Sequence, residues 1–251
     1  MKINTCIVIP CYNEAKKLIS LKEDYIHFLN QNKETLLCFV NDGSKDKTFD
    51  ILTDIKKNHP NTIEIVSYNH NKGKAEAVRR GINHCNDIFD HEYIAYLDTD
   101  LSTTLSECLR VRDHLIKNQE ISFVFGSRIA RVGSTIKRSF FRFLIGRFIA
   151  TLISGILKLK VYDTQCGCKV FKRDVSEQLF IEEFISKWLF DVEIFFRMYQ
   201  IYGKEKAVNK MEEIPLISWI DHGGSKVSML YFFKLWFDLI KINNKYKKRF
   251  T

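Results

Sequence analysis

Two carboxylates stand one residue apart at the end of an apolar run, Tyr93-Ile94-Ala95-Tyr96-Leu97-Asp98-Thr99-Asp100. In extended backbone, residues i and i+2 point to the same side. Asp98 and Asp100 are therefore expected side by side at the mouth of a sheet. A carboxylate pair in that position suits a hard divalent cation, with the remaining coordination positions left to substrate phosphates. The same residues also read as a polar turn that merely ends a strand. Two further groups fit the first reading: Asp42 can accept hydrogen bonds from a base, and Lys72 and Lys74, on either side of Gly73, can reach a diphosphate. The glycine patterns of P-loop and dinucleotide-binding enzymes are absent.

Such groups need elements to bring them together. Residues 6–10 read as a short buried strand, after which Asn13 caps a helix containing Leu18, Leu21, Tyr25 and Leu29. Residues 36–40 form a second strand, closed by the turn Asn41-Asp42-Gly43-Ser44. A helix through Phe49, Ile51, Leu52 and Ile55 follows, then a strand over 63–66, a helix over 74–82 and a strand over 93–97. Within this pattern Asp46 and Thr48 read as a turn and helix cap. Strands and helices alternating at this spacing imply an α/β architecture with a mostly parallel sheet and helices on both faces. In such sheets ligands bind beyond the carboxyl ends of the strands. The segment from Pro10 to Glu14, the pair Asn41-Asp42, and Asp98 to Asp100 should meet along that edge.

The second half reads as additions to the same domain. Phe123-Val124-Phe125 runs into Gly126-Ser127-Arg128, another strand-to-turn unit. Residues 140–157 are dense in Phe, Ile and Leu but carry Arg142 and Arg147. This helix is either an ordinary buried one or, with the flanking cations of 137–158, an interfacial one. From Ser228 to Asn243, Lys234, Asp238 and Lys241 are expected to form one narrow polar stripe on a helix otherwise apolar. The cations Lys245, Lys247, Lys248 and Arg249 follow. The expected organisation is one large domain over 1–227 and an amphipathic helix with a basic tail over 228–251.

The formal charge of +9 points to a polyanionic partner: nucleic acid, an anionic membrane or a phosphorylated substrate. Converging carboxylates would repel nucleic-acid phosphates, which argues against the first. Neither a signal peptide nor an apolar run of spanning length is expected. The seven cysteines are scattered, and Cys6 and Cys38 sit in apolar runs, so a reducing, cytoplasmic compartment is expected. Cys166-Gly167-Cys168 lacks the spacing of the common zinc pairs.

Together these motifs resemble glycosyltransferase family 2, with its GT-A fold. The resemblance rests on Pro10-x-Tyr12-Asn13-Glu14, Asn41-Asp42-Gly43-Ser44-x-Asp46-x-Thr48, Asn71-Lys72-Gly73-Lys74 and Asp98-Thr99-Asp100. Gly126-Ser127-Arg128, Lys137-Arg138-Ser139, Asp163-Thr164-Gln165-Cys166-Gly167, Lys169-x-Phe171, Phe190-Asp191-x-Glu193 and Gly224-Ser225-Lys226 are similar to the dolichyl-phosphate β-glucosyltransferase subgroup. The resemblance implies an inverting enzyme that moves a hexose, glucose from UDP-glucose, to a polyprenyl or dolichyl phosphate at the cytoplasmic membrane face. It implies Mg2+ or Mn2+ held by Asp98 and Asp100. Pro10, Tyr12, Asn13, Glu14, Asp42, Lys72 and Lys74 fall at nucleotide-sugar positions. Arg128, Lys137 and Arg138 fall where the acceptor phosphate would bind, with Arg142 nearby, and Asp163, Gln165 and Asp191 fall on the acceptor side.

There are departures. Asn41 stands where many relatives carry a first Asp. Ser102 stands where the mannosyl enzymes carry a metal-binding Gln. The Gln-x-x-Arg-Trp string of processive synthases is absent, and so is an N-terminal anchor, which points to a microbial enzyme using a polyprenyl phosphate. A lipid phosphate arrives as an anion and needs cations rather than a general base. Asp191 is accordingly expected to position sugar hydroxyls or neighbouring arginines. Two alternatives stand beside this reading: a family 2 enzyme that adds sugar to a glycan hydroxyl, and a non-enzymatic basic module that binds membranes.

Overall fold

The computed structural model describes residues 2–221 and 229–247; the side chains of 140–142 and 229–234 are left aside. The first half alternates as expected: β1 Thr5–Cys11, α1 Ala15–Gln31, β2 Thr35–Asp42, α2 Thr48–Asn58, β3 Ile63–Tyr68, α3 Lys74–Ile88, β4 Tyr93–Leu97 and α4 Leu105–Lys117. Then come β5 Phe123–Ser127, β6 Thr135–Lys137, α5 Phe140–Leu157, β7 Cys168–Lys172, α6 Arg173–Leu179, α7 Phe190–Tyr202, α8 Lys204–Val208, β8 Met211–Pro215, β9 Ser218–Ile220 and α9 Met229–Lys247. The main sheet has the order β3-β2-β1-β4-β7-β5-β8, and β6 pairs with β9 apart from it.

The strands β1 to β4 are parallel, which places Cys11, Asn41, Asp42 and Leu97 at one edge. Strand β7 is antiparallel to both β4 and β5, and Leu97 lies opposite Cys168. That reversal matters for the site. The motif from Asp163 to Gly167 precedes β7, so it arrives at the same edge as residues that follow β4 and β5. Parallel pairing would have sent it to the far side. The buried side chains form two layers. One joins the sheet to α1, α2 and α4, and the other joins it to α3, α5, α6, α7 and α9.

Four local expectations are corrected. Asn13 does not cap α1: it takes the left-handed conformation at φ 52°, and the cap position is Glu14. The entry to α1 is instead held from the β2–α2 loop. Asn13 N, Glu14 N and Ala15 N donate to Ser44 Oγ, Thr48 Oγ1 and Asp46 Oδ2 respectively. Asp98 to Asp100 is not extended, because Leu101 N closes a turn onto Asp98 O, so the alternation that would align the two carboxylates does not apply. In α9 the polar residues do not form one stripe: Lys241 is exposed, whereas Asp238 turns into the protein. Asp238 is buried and accepts from Ser186 Oγ at 2.7 Å, beside buried Leu239, Ile242 and Tyr246, while Trp236, Phe237 and Ile240 are exposed. Lys137 belongs to β6 rather than to the helix that begins at Phe140. The expected roles of Arg142, Gly224-Ser225-Lys226, Lys234, Lys248 and Arg249 rest on parts that lie outside the described residues.

Candidate active site

The loop after β4 is tied down from two directions. Thr99 Oγ1 donates to Pro10 O at 2.6 Å, and Tyr25 OH donates to Thr99 O at 2.9 Å. Ser102 N donates to Asp100 Oδ1 at 3.0 Å, and Ile220 N returns to Ser102 O. The middle residue of the Asp-Thr-Asp motif thus anchors the loop, while both flanking carboxylates stay partly exposed. Asp98 Oδ1 pairs with Lys74 Nζ at 2.5 Å. Burial works against the Lys74 ammonium, yet Asp98, Asp191 and Asp100 raise its pKa above the ordinary lysine value. The three carboxylates and Lys74 therefore share one electrostatic centre.

Gly167 explains why that centre fits. Its Cα lies against the Asp98 carboxylate, and an added Cβ would stand 2.6 Å from Asp98 Cγ. Asp98 is thereby held between a lysine and a backbone that tolerates no side chain.

Asp42 is buried and occupied. Its Oδ1 and Oδ2 accept from the backbone N–H of Lys72 and Gly73, each at 2.8 Å. The carboxylate that sequence assigned to a nucleobase thus first shapes the loop that launches α3, and any base contact must use a second lone pair. The left-handed Gly43 is required there, since a Cβ would meet Asn71 N and His70 C at 2.5 Å. Asn41 engages both ends of its amide, donating to Ser67 Oγ and accepting from Ser44 N. Glu14 pairs with Lys17 at 3.0 Å.

On the other side of Asp98, the assigned acceptor groups separate. Arg128 does not offer a free guanidinium: Nε and Nη2 grip Asp163 at 2.6 and 2.8 Å, and Arg128 N joins them at 3.2 Å. Burial would raise the Asp163 carboxyl, but Arg128 overcomes it and holds the pKa at about 2. Asp163 Oδ1 also accepts from Gln165 N. Lys137 is exposed and does not join this cluster. Arg147, not singled out as a binding residue, does join it. Arg128, Arg138, Arg147, Asp163 and Gln165 line one cavity of about 140 Å3 whose apolar walls include Ile149, Ala150, Leu189 and Leu235. Arg138 lies on Gly146 of α5, where a Cβ would overlap its guanidinium. Arg147 stacks on Tyr162 at 3.7 Å and donates to Tyr162 O. Burial and neighbouring Arg128 lower the Arg138 pKa.

Asp191 is buried at the start of α7, accepting from Tyr96 OH and pairing with Lys169 Nζ at 2.6 Å. Sequence reasoning quoted Thr99 and Lys169 within motifs but gave them no role, and it missed Tyr96 and the steric role of Gly167. Lys169 left a signal, as a charge inside the apolar stretch from Cys168 to Phe171.

The Arg128–Asp163 pair gives a stability prediction. Asp163→Asn leaves a buried guanidinium unpaired and should cost about 3 kcal/mol at neutral pH. The folded carboxyl titrates at about 2, below its unfolded value of roughly 3.9. A depressed pKa stabilises above the unfolded value, and the benefit is lost as pH falls through the folded one. The gap in melting midpoint between wild type and variant should therefore narrow from about pH 4 to about pH 2. A gap that stays constant over that window contradicts the assignment.

The sheet's carboxyl edge gathers a tethered Asp-Thr-Asp loop, a lysine and the loop shaped by Asp42, an arrangement that suits a nucleotide-sugar transferase. Comparison with known proteins agrees. Residues 6–180 match the family described as Glycosyl transferase family 2. The chain is 32% identical over 232 residues to the dolichyl-phosphate beta-glucosyltransferase of Dictyostelium discoideum, covering 88% of this chain and 68% of the relative. It is 31% identical to the protein of the same name from Saccharomyces cerevisiae, over 89% of this chain and 69% of the relative. Among solved structures, glucosyl-3-phosphoglycerate synthase from Mycobacterium tuberculosis, in complex with Mn2+, UDP-glucose and phosphoglyceric acid, superposes with a TM-score of 0.70. That match covers 96% of this chain and 80% of the other at 15% identity, and it speaks to the GT-A fold. The chain belongs to glycosyl transferase family 2 and is a nucleotide-sugar-dependent glycosyltransferase.

Proposed function

We propose that this enzyme transfers glucose from UDP-glucose, with inversion, to the phosphate of a polyprenyl or dolichyl lipid at the cytoplasmic face of a membrane. One observation carries the reading. The cavity lined in part by Gln165, two residues before the Gly167 that lies against Asp98, joins three arginines to apolar walls supplied by α5, α9 and the residue before α7. Arginines and apolar side chains lining one cavity suit a phosphate carried on an isoprenoid chain, with Asp163 and Gln165 left to face sugar hydroxyls. The relatives carrying the name dolichyl-phosphate beta-glucosyltransferase support the same choice of donor sugar and acceptor.

The chain's residues divide the work. The loop shaped by Asp42 receives the nucleoside, and Lys74 moves its charge from Asp98 toward the donor diphosphate. Asp98 and Asp100 are hard oxygen donors, and among the described residues no group of three candidate metal ligands gathers. That donor set fits Mg2+ or Mn2+ with diphosphate oxygens completing the coordination. Such an ion, when bound, neutralises charge on the departing diphosphate. Arg138 and Arg147 hold the acceptor phosphate, Arg128 is kept in place by Asp163, and Asp191 orients the sugar. No proton need be removed from a phosphate acceptor, whose second pKa is about 6.

The experiment is a pair of variants. Arg138→Ala and Arg147→Ala should each raise the acceptor KM by roughly tenfold, the loss of one charge-assisted contact. The UDP-glucose KM should stay within about threefold of wild type, because uniform loss would indicate general damage. An unchanged acceptor KM in both variants refutes the arginine cavity as the phosphate site.

Membrane contact follows from the same helices. Among the described residues no helix is long and apolar enough to cross a membrane. Helix α5 leaves Leu144, Ile145 and Phe148 exposed, and α9 leaves Trp236, Phe237 and Ile240 exposed. Helix α5 buries Ala150, Ile153 and Leu157, and α9 buries Leu239 and Ile242, so each spends one face on the protein. Both elements contribute to the cavity, so lipid entering between them would deliver its phosphate to the arginines. Lys245 is not a free tail cation; it pairs with Glu182 at 3.7 Å. Apolar insertion should therefore outweigh charge. The protein should co-sediment with anionic vesicles at low salt, and Phe148→Ser with Phe237→Ser should abolish this. Wild-type protein left in the supernatant would overturn the interfacial reading.

A further inference from the structure

Lys169 is a lysine with no solvent exposure, set in the floor of the site. A buried ammonium is expensive unless every contact is satisfied, and a well-packed apolar residue in its place often does as well for stability. Its contacts are specific. Nζ pairs with Asp191 Oδ1 at 2.6 Å and donates to Cys166 O at 2.7 Å. It also lies 5.5 Å from the ring centre of Tyr96, its partner across the sheet. Tyr96 OH donates to that same Asp191 Oδ1. The nearest approach of Lys169 and the hydrogen bond from Tyr96 both fall on the same oxygen, Oδ1.

The second contact reaches Asp98. Cys166 immediately precedes Gly167, whose backbone lies against the Asp98 carboxylate. Tyr96 reaches it from the other strand, two residues ahead of Asp98. One ammonium thus joins the N-terminus of α7, the loop before β7, and the strand that carries the donor carboxylates.

We propose that Lys169, together with Tyr96, is a positioning residue for glycosyl transfer: it holds Asp191 by one oxygen so that the other faces the hexose, and fixes Gly167 against Asp98. The proposal rests on the glycosyl-transfer reading above and concerns how the sugar is oriented between donor and acceptor sites. Lys169 touches neither substrate. Its effect passes through Asp191 Oδ2, which accepts from a sugar hydroxyl, and through Asp98.

The test compares Lys169→Met, Tyr96→Phe, Asp191→Asn and the Lys169→Met/Asp191→Asn double variant. Each is measured for melting midpoint, UDP affinity with Mn2+ present, and kcat and donor KM in transfer to a short polyprenyl phosphate. Misplacing a group that orients the reacting atoms should lower kcat by about tenfold or more in Lys169→Met, with UDP affinity within about threefold of wild type. The double variant should be no slower than the slower single variant, because both changes cut one chain of contacts. Tyr96→Phe removes only a hydroxyl, and should lower kcat by several-fold with an unchanged melt. It decides the matter if Lys169→Met does not fold. If kcat in Tyr96→Phe and Lys169→Met stays within about twofold of wild type, or falls only in step with UDP affinity and the folded fraction, Lys169 is a structural ion pair and the proposal is wrong. Failure of the acceptor reading looks different: wild-type enzyme would bind UDP yet transfer to another acceptor, on which the same ratios would then be read.

Discussion

Asp100→Asn should reduce turnover by at least ~10², the scale of one charged contact to a departing diphosphate. The substitution keeps the side chain's shape. The Asp100 oxygen that accepts from Ser102 N can still accept as an amide, so the loop should hold its course. Thr99 anchors that loop independently through Pro10 and Tyr25. The melting midpoint should therefore move little. What disappears is a negative charge at the mouth of the sheet, beside Lys74 and Asp98. The loss should appear in kcat, and added Mn2+ should restore little of it. A purified variant with near-normal turnover, or wild-type activity that persists in excess EDTA, would remove Asp100 from the metal site.

Gly167→Ala is the second large effect, on the order of 10² in kcat, as expected when a reacting group is displaced by about an ångström. The added methyl would occupy the space of the Asp98 carboxylate. Asp98 is the side of the contact that must yield. Gly167 immediately precedes β7, between the buried residues Cys166 and Cys168, and the backbone there has little room to retreat. The displaced carboxylate would lose its alignment with Lys74, at 2.5 Å in the native site. Because Asp98 is partly exposed, it can move toward solvent, and the cost to folding should be about 1 kcal/mol or less. The signature is a stable protein that transfers sugar poorly. Full activity in Gly167→Ala would mean that Asp98 does not need its observed position.

The contrast between these two residues shows what the sequence could reveal. Asp98 and Asp100 stood out because an apolar strand ended in acid, and strand ends in parallel sheets are where ligands bind. Their register was misjudged, since the turn at Asp98 to Leu101 depends on contacts from Pro10 and Tyr25 that no local pattern encodes. Asp42 was placed correctly at the end of β2 by its Asn-Asp-Gly turn. Its two backbone partners at Lys72 and Gly73 come from thirty residues away, and only the fold supplies them. Arg128 and Asp163 were both selected, yet as separate phosphate and acceptor groups. Their pairing requires the antiparallel β7, which a run of alternating strands and helices does not predict. In α9 the apolar period was visible, but not which face turns inward: Asp238 meets Ser186 from a distant loop, beside core residues Leu239, Ile242 and Tyr246.

In the proposed reaction a nucleotide sugar donates to a lipid phosphate through a site built on Asp98, Asp100 and the arginine cavity. The most direct measurement incubates the purified full chain with UDP-glucose, Mn2+ or Mg2+, and a short polyprenyl phosphate, with polyprenyl alcohol and a free saccharide in parallel. Mass spectrometry of the products reads the outcome. One hexose should be added to the polyprenyl phosphate, with UDP released in equal amount, and no product should form from the alcohol or the saccharide. Efficient transfer to either of the latter, or release of UDP with free glucose as the only product, would contradict it.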